Sequence, residues 1–173
     1  MRIALAATLV TIYSTLGLVR PISNWLRDHH LLRLAVAVSF GLAATTMSWL
    51  IFRDPRNRSP KALLSLLGIA LLYAAVILPM SSPEEKVHFI EYGVVALLAE
   101  ASAPKAWSQR KKYTAAALFV FAAGWIDELI QALLPSRYYD LRDVAFNATA
   151  GAIALLALAA LRFTRRETPA PAV

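Results

Sequence analysis

Two stretches of the chain concentrate side chains able to move protons or hold charged groups. The first contains Glu84, Glu85, Lys86, His88 and Glu91; the second contains Asp127, Glu128, Gln131, Arg137, Asp140, Arg142, Asp143 and Asn147. On a helix, residues three or four apart share a face. That pairs His88 with Glu91, Glu128 with Gln131, and Asp143 with Asn147, while Asp127 projects about 100° away from Glu128. His88 beside Glu91 is a base with an orienting acid. A carboxylate removed from water can carry a proton near neutrality, which makes Glu128, with His88, a candidate catalytic acid–base group. Lys86, Arg137 and Arg142 can take phosphate or carboxylate, the arginines bidentately. Glu91, Asp127, Gln131, Asp140, Asp143 and Asn147 complete the candidate binding set. One His among scattered acids is a weak metal pattern. HExxH, GxSxG, P-loop and CxxC motifs are absent, so neither metal nor cofactor is expected.

The elements that position these groups follow from composition. The chain has 173 residues and no Cys; 58% are hydrophobic, 17% charged, and the mean hydropathy is +0.54. Soluble domains carry roughly 25% charged residues, so these charges are too few to cover a water-facing surface. Disorder is excluded by the same hydrophobicity. Six apolar stretches meet the length of about 17–25 residues that a bilayer helix needs: Ile3–Val19, Leu34–Phe52, Ala62–Leu78, Val87–Ala103, Tyr113–Leu134 and Val144–Leu161. They are rich in Ala and Leu and lack the alternation of a barrel strand. The expectation is an all-α, polytopic membrane bundle of about six helices. It forms one membrane domain over residues 1–163, with a flexible tail from 164 that ends in ETPAPAV. Pro21, Pro55, Pro60, Pro79, Pro83, Pro104 and Pro135 mark the separators. Arg2 before an apolar run also resembles a signal peptide, but its length and the lack of a small-x-small site before Arg20 favour a retained helix.

Sidedness explains the net charge of +7. Arg2; Arg53, Arg56, Arg58 and Lys61; Lys105, Arg110, Lys111 and Lys112; and Arg162, Arg165 and Arg166 fall on one side. Only Arg20, Arg27, Arg33, Lys86, Arg137 and Arg142 fall on the other. By the positive-inside rule both termini are cytoplasmic, and nucleic acid is not needed to explain the charge. His29, His30 and Trp25 then occupy an interfacial loop. Glu100 lies at the cytoplasmic end of span four, near Lys105, and is expected to snorkel. All the candidate site residues fall on the extracytoplasmic side. At 1.5 Å per residue, Glu91 lies about 7–8 Å past Lys86, Glu128 about 9 Å before Leu134 and Asn147 about 6 Å past Asp143. Three helices thus bring polar groups to one depth, where facing lipid would cost each carboxylate up to ~2.5–3.5 kcal/mol. They are expected to face one another around a hydrated pocket. A purely structural alternative has Asp143 as the cap of span six, Arg137–Glu128 and Arg142–Asp140 as ion pairs, and Asn147 as an interhelical hydrogen bond.

At these residues the sequence resembles the VanZ-like family of bacterial membrane proteins. The family pattern has an acidic-Lys pair and His at a helix start, as in Glu85-Lys86-Val87-His88. It continues with acid-Glu-x-x-Gln and, three residues later, Pro-x-Arg, as in DELIQALLPSR from Asp127 to Arg137. Asp and Asn follow, as in RDVAFNATAG from Arg142 to Gly151. The resemblance carries His88, Glu128, Gln131, Arg137, Asp143 and Asn147 over, and spans Pro83 to Gly151, with the first three spans outside it. Two departures are Glu85 for the more usual Asp, and Ala150-Gly151 where the family has Gly three residues after the Asn. The resemblance implies a multi-pass protein of the bacterial cytoplasmic membrane, linked through the family's namesake to low-level teicoplanin resistance.

Three function classes follow: binding or altering a lipid-linked or cell-wall component (or a glycopeptide) at the outer leaflet; an enzyme acting on such a lipid through His88 and Glu128; and a proton-coupled transporter using Glu91, Asp127 and Glu128. Membrane lipids are partners in each. Whether there is turnover, and what the oligomeric state is, stay open at this level. The transporter has least support, because the cytoplasmic halves of spans four to six offer only Glu100 as a polar step and no inverted repeat is recognisable. A Tyr139→Cys variant of this Cys-free chain should react with an impermeant maleimide added outside intact cells; labelling only from the cytoplasm would reverse the topology.

Overall fold

The computed structural model describes residues 1–135, 137 and 139–167. Six long helices run in order: α1 (Arg2–Asp28), α2 (Leu32–Phe52), α3 (Pro60–Ile77), α4 (Pro83–Ser102), α5 (Gln109–Ala132) and α6 (Leu141–Glu167), with a 3-10 turn at Pro55–Arg58 between α2 and α3. Strands are absent among the described residues. The helix starts are written locally. Ser59, Ser82 and Ser108 accept hydrogen bonds from the backbone N–H three residues on, satisfying amides that have no partner within the helix. Pro55, Pro60 and Pro83 are first-turn residues of their elements, where a missing N–H costs nothing.

Pro21 behaves differently from the expected separator. It lies inside α1, which continues to Asp28 and so extends about 40 Å. The ring removes one hydrogen bond, to the Gly17 carbonyl, and the bonds on either side carry the helix past it. At the other terminus α6 continues through Thr164 to Glu167, and the remaining tail, 168–173, lies outside the described residues.

Five helices, α1, α2, α3, α5 and α6, are long and apolar enough to cross a membrane. Their outer faces expose Leu34, Val38, Leu42, Leu64, Leu67, Leu71 and Leu118 among others, a surface suited to lipid rather than water. α4 is also 20 residues long, about 30 Å, but carries Glu84, Glu85, Lys86, Glu91 and Glu100. It packs against α6, α5, α1 and α2, so its charges meet protein instead of hydrocarbon. Phe89, Tyr92, Val95 and Ala96 of α4 fill the core with Val120 and Ala123 of α5 and Ala150 and Ile153 of α6.

Close approach of α5 and α6 rests on two glycines. A Cβ at Gly124 would lie 2.9 Å from Asn147 Cβ, and one at Gly151 would lie 2.7 Å from Val120 Cγ1. Small residues at such contacts let membrane helices pack through their backbones. Ala150, standing where the family has Gly, is itself fully buried, and the adjacent Gly151 takes the tight contact. Gly151→Ala should therefore lower stability by about 1–3 kcal/mol, read as a lower melting temperature in detergent, with Val120→Ala in the same chain recovering most of the loss.

Candidate functional site

The two ends of the bundle treat polar side chains differently. At the end where α4 and α6 finish and α5 begins, Glu100 is 3% exposed and accepts two hydrogen bonds from Arg162, at 2.6 and 3.0 Å. Arg162 Nη1 also donates to Tyr113 Oη at 3.1 Å. Glu100 therefore does not snorkel toward Lys105. A guanidinium from α6 reaches it inside the bundle, and a fork-to-fork pair is a stronger partner than the interface. Nearby Asn57 is fully buried; it donates to the Ile51 carbonyl at 2.6 Å and accepts from Arg165 Nε at 2.8 Å, tying the α2–α3 turn to α6. Asp54, outside the spans, is held below the usual carboxylate range by hydrogen bonds from Arg56.

At the opposite end, α4 begins, α5 finishes and α6 begins. His88, Asp127, Glu128, Gln131 and Asn147 are all buried there, as the cost of exposing them to lipid requires. They form two groups. In the first, His88 Nδ1 lies 3.7 Å from Glu91 Oε2 and 3.8 Å from Asp127 Oδ2, beyond hydrogen-bond length. Asp127 points toward α4 and α1. There the hydroxyls of Tyr13 and Tyr92 both donate to the Ala123 carbonyl, at 2.9 and 3.4 Å, one turn before Asp127. Both carboxylate oxygens of Asp127, His88 Nδ1 and the side-chain amide of Asn147 lack well-formed hydrogen bonds among the described residues, although the Tyr92 hydroxyl lies near Asp127. Such groups are rare in protein interiors.

In the second group, Glu128 Oε1 accepts from Gln131 Nε2 and Oε2 accepts from the Asp140 backbone N–H, each at 2.9 Å. Glu128 thus holds the α5–α6 loop, and no Arg137–Glu128 ion pair forms. Asp140, not Asp143, takes the cap position of α6: its Oδ1 accepts from the Arg142 N–H at 2.8 Å. Arg142 also closes on the Asp140 carboxylate, at 2.7 Å from Nη2, and these bonds keep that carboxyl below its ordinary range. Asp143 sits one turn in, part-buried.

A cleft of about 190 Å³ opens between α1, α2 and α4. Its walls include Ile12, Leu16 and Val19 of α1 with Leu32 and Val36 of α2; His88, Glu91, Glu84 and Arg137 supply its charged lining. Glu84 is already engaged by an ion pair with Arg27 of α1 and a hydrogen bond from Ser82 Oγ at 3.0 Å. Of the expected site residues, His88, Glu91 and Arg137 thus line the cleft and Asp127 stands behind His88. Glu128, Gln131 and Asp140 brace the loop that carries Arg137. Asn147 lies at the α5–α6 contact, while Lys86, Arg142 and Asp143 do not line the cleft.

Sequence reasoning missed Tyr13 and Tyr92, and the α1 and α2 walls. Tyr92 stood one turn from His88 and could have been found by spacing. Tyr13 was one of several hydroxyl-bearing residues in the first span, beside Thr8, Thr11, Ser14 and Thr15, and nothing local set it apart.

The VanZ/LLP1 family model matches residues 6–162. The chain belongs to the VanZ/LLP1 family. The match reaches past the motif-bearing stretch from Pro83 to Gly151 and takes in α1, α2 and α3; the cleft walls are therefore part of the VanZ-type region. No curated protein and no solved structure matches the chain.

Because Glu128 holds the loop through the Asp140 N–H, Glu128→Ala should speed amide hydrogen exchange at Asp140 by about tenfold, whereas Glu128→Gln, which retains an acceptor, should fall between. Unchanged exchange in the alanine variant would remove Glu128 from this bracing role.

Proposed function

We propose that this VanZ-family protein binds a lipid-linked or cell-wall component at the extracytoplasmic face of the bacterial cytoplasmic membrane and alters its presentation there. Low-level resistance to teicoplanin, a glycopeptide that acts outside that membrane, is the expected consequence. The observation that carries this reading is the cleft: mainly apolar walls from two lipid-exposed helices, with Thr15, Ser23 and Ser39 among them, lead to His88, Glu91 and Arg137. An amphipathic ligand meets both surfaces at once, its chain replacing lipid contacts and its headgroup reaching charge and hydrogen-bonding groups. Arg142, expected as a second cation for the headgroup, is committed to Asp140, leaving Arg137 as the cation of this cleft.

A membrane enzyme is the second reading, and His88–Asp127 favours it. A carboxylate 3.8 Å behind an imidazole that lines a cleft is the arrangement of a general base with its orienting acid. Asp127 suits that role better than Glu128, whose two oxygens are occupied. The transporter reading loses ground. Val95, Ala96, Val120 and Ile153 form a buried apolar layer along α4–α6 between the His88–Asp127 group and the Glu100–Arg162 pair, with no polar step for a proton.

Purified from native membranes, the wild-type protein should retain a lipid detectable by native mass spectrometry. Ala35→Trp, which fills the α2 wall, should lower its occupancy at least about fivefold with little change in melting temperature. Equal occupancy in the two would place the lipid elsewhere. Masses that change on incubation with wild type but not with His88→Ala would favour the enzyme.

A further inference from the structure

We infer that the headgroup held in this cleft carries both a phosphate and an ammonium with free N–H groups. The inference rests on the amphiphile-binding reading above and specifies its ligand. It follows from charge bookkeeping in the lining. Among the described residues, four titratable side chains line the cleft: Glu84, His88, Glu91 and Arg137. Glu84 is neutralised by Arg27. His88 faces Glu91 and Asp127 through Nδ1. That leaves one charge of each sign open to a ligand. Arg137 makes no ion pair or side-chain hydrogen bond among the described residues; its backbone N–H alone is engaged, with the Leu134 carbonyl. Glu91 has the 3.7 Å contact with His88 and lies within electrostatic reach of Arg137, but no ion pair joins the two side chains, and that of Glu91 is 32% exposed.

A guanidinium in a part-buried cleft is suited to two oxygens of one phosphate. A purely anionic headgroup seated there would bring its charge against Glu91 and against Asp127 behind His88, where the apolar walls weaken screening. A headgroup with a positive end relieves that repulsion by placing its cation on Glu91. The kind of cation follows as well. A quaternary ammonium is typically held by aromatic faces, and no Phe, Tyr or Trp among the described residues lines this cleft. A carboxylate is instead a hydrogen-bond acceptor for an N–H-bearing ammonium. The volume, about 190 Å³, falls below the roughly 300–1,000 Å³ of a pocket that encloses a whole small molecule. It suits a headgroup and the start of one chain, with the rest of the chain in the bilayer beside α1 and α2.

Phosphatidylethanolamine and an amine-bearing lipid-linked cell-wall intermediate share this chemistry, and the masses of lipids carried from native membranes separate the two. The direct test reconstitutes the full chain in nanodiscs of equal phosphatidylethanolamine, phosphatidylglycerol and phosphatidylcholine, followed by native mass spectrometry of the lipid retained after detergent exchange. Wild type should retain the ethanolamine lipid about fivefold over either other lipid. Glu91→Gln, nearly isosteric and part-exposed, should bring the ethanolamine-to-glycerol ratio to about one while lipid is still retained. Arg137→Gln should lower retention of all three. A wild-type preference for phosphatidylglycerol, or an unchanged ratio in Glu91→Gln, overturns the zwitterionic headgroup and leaves the amphiphile site standing. Failure of the wild type to retain any lipid, here or from native membranes, overturns the amphiphile site itself.

Discussion

A carboxylate turned toward hydrocarbon costs ~2.5–3.5 kcal/mol, and this chain places Glu91, Glu100, Asp127 and Glu128 within its helices. The packing answers that cost. α4, the helix richest in carboxylates, is covered by α6, α5, α1 and α2, and the plain aliphatic faces of α2 and α3 look outward. Gly124 and Gly151 let α5 and α6 approach closely enough for Asp127, Glu128, Gln131 and Asn147 to lie inside the bundle. The hydrophobic effect does not drive helix association within lipid; what orders these helices is close packing and the need of each polar group for company.

The same cost is resolved in two ways at the two ends. Glu100 is fully partnered by Arg162, which is also bonded to Tyr113, so three helices are held in register. A buried pair of this kind adds little net stability but is expensive to break singly. At the other end the pairing is incomplete. Glu128 is satisfied, but Asp127, His88 Nδ1 and Asn147 are buried with atoms that make no hydrogen bond, and Arg137 lines a cleft with no side-chain hydrogen bond or ion pair among the described residues, within electrostatic reach of His88 and Glu91. A bundle optimised only for stability would pair both ends alike. The asymmetry gives the incompletely paired end its functional reading.

Much of this was legible in order and spacing. Charge and Pro placement separated the helices, and the i, i+3 pairs predicted that His88, Glu128 and Gln131 would turn inward at one end. The motifs over Pro83 to Gly151 pointed to the family. Long-range pairing was not legible: Arg162 read as a flanking cytoplasmic charge because nothing local marks its contact with a residue 62 positions earlier. The distinction between Arg137 and Arg142 was hidden for a related reason. The Arg142–Asp140 pair was legible as one alternative, but not that Gln131 and the Asp140 N–H would take both oxygens of Glu128 and leave Arg137 without that partner. The cleft walls were invisible because Ile12, Leu16 and Val36 look like any lipid-facing residues. Pro21 misled because a proline that ends most soluble helices is tolerated within a membrane span.

The cleft between α1, α2 and α4 is, on this reading, a lipid site ending at His88, Glu91 and Arg137. An electron cryo-microscopy map of the protein in nanodiscs formed directly from native membranes, with a rigid antibody fragment for alignment, tests it most directly. Elongated density should run along Leu16 and Val36 and terminate against the Arg137 guanidinium. A cleft closed by α1–α2 contact, with Arg137 turned onto Glu128 or Asp127 and no density between the helices, would contradict it.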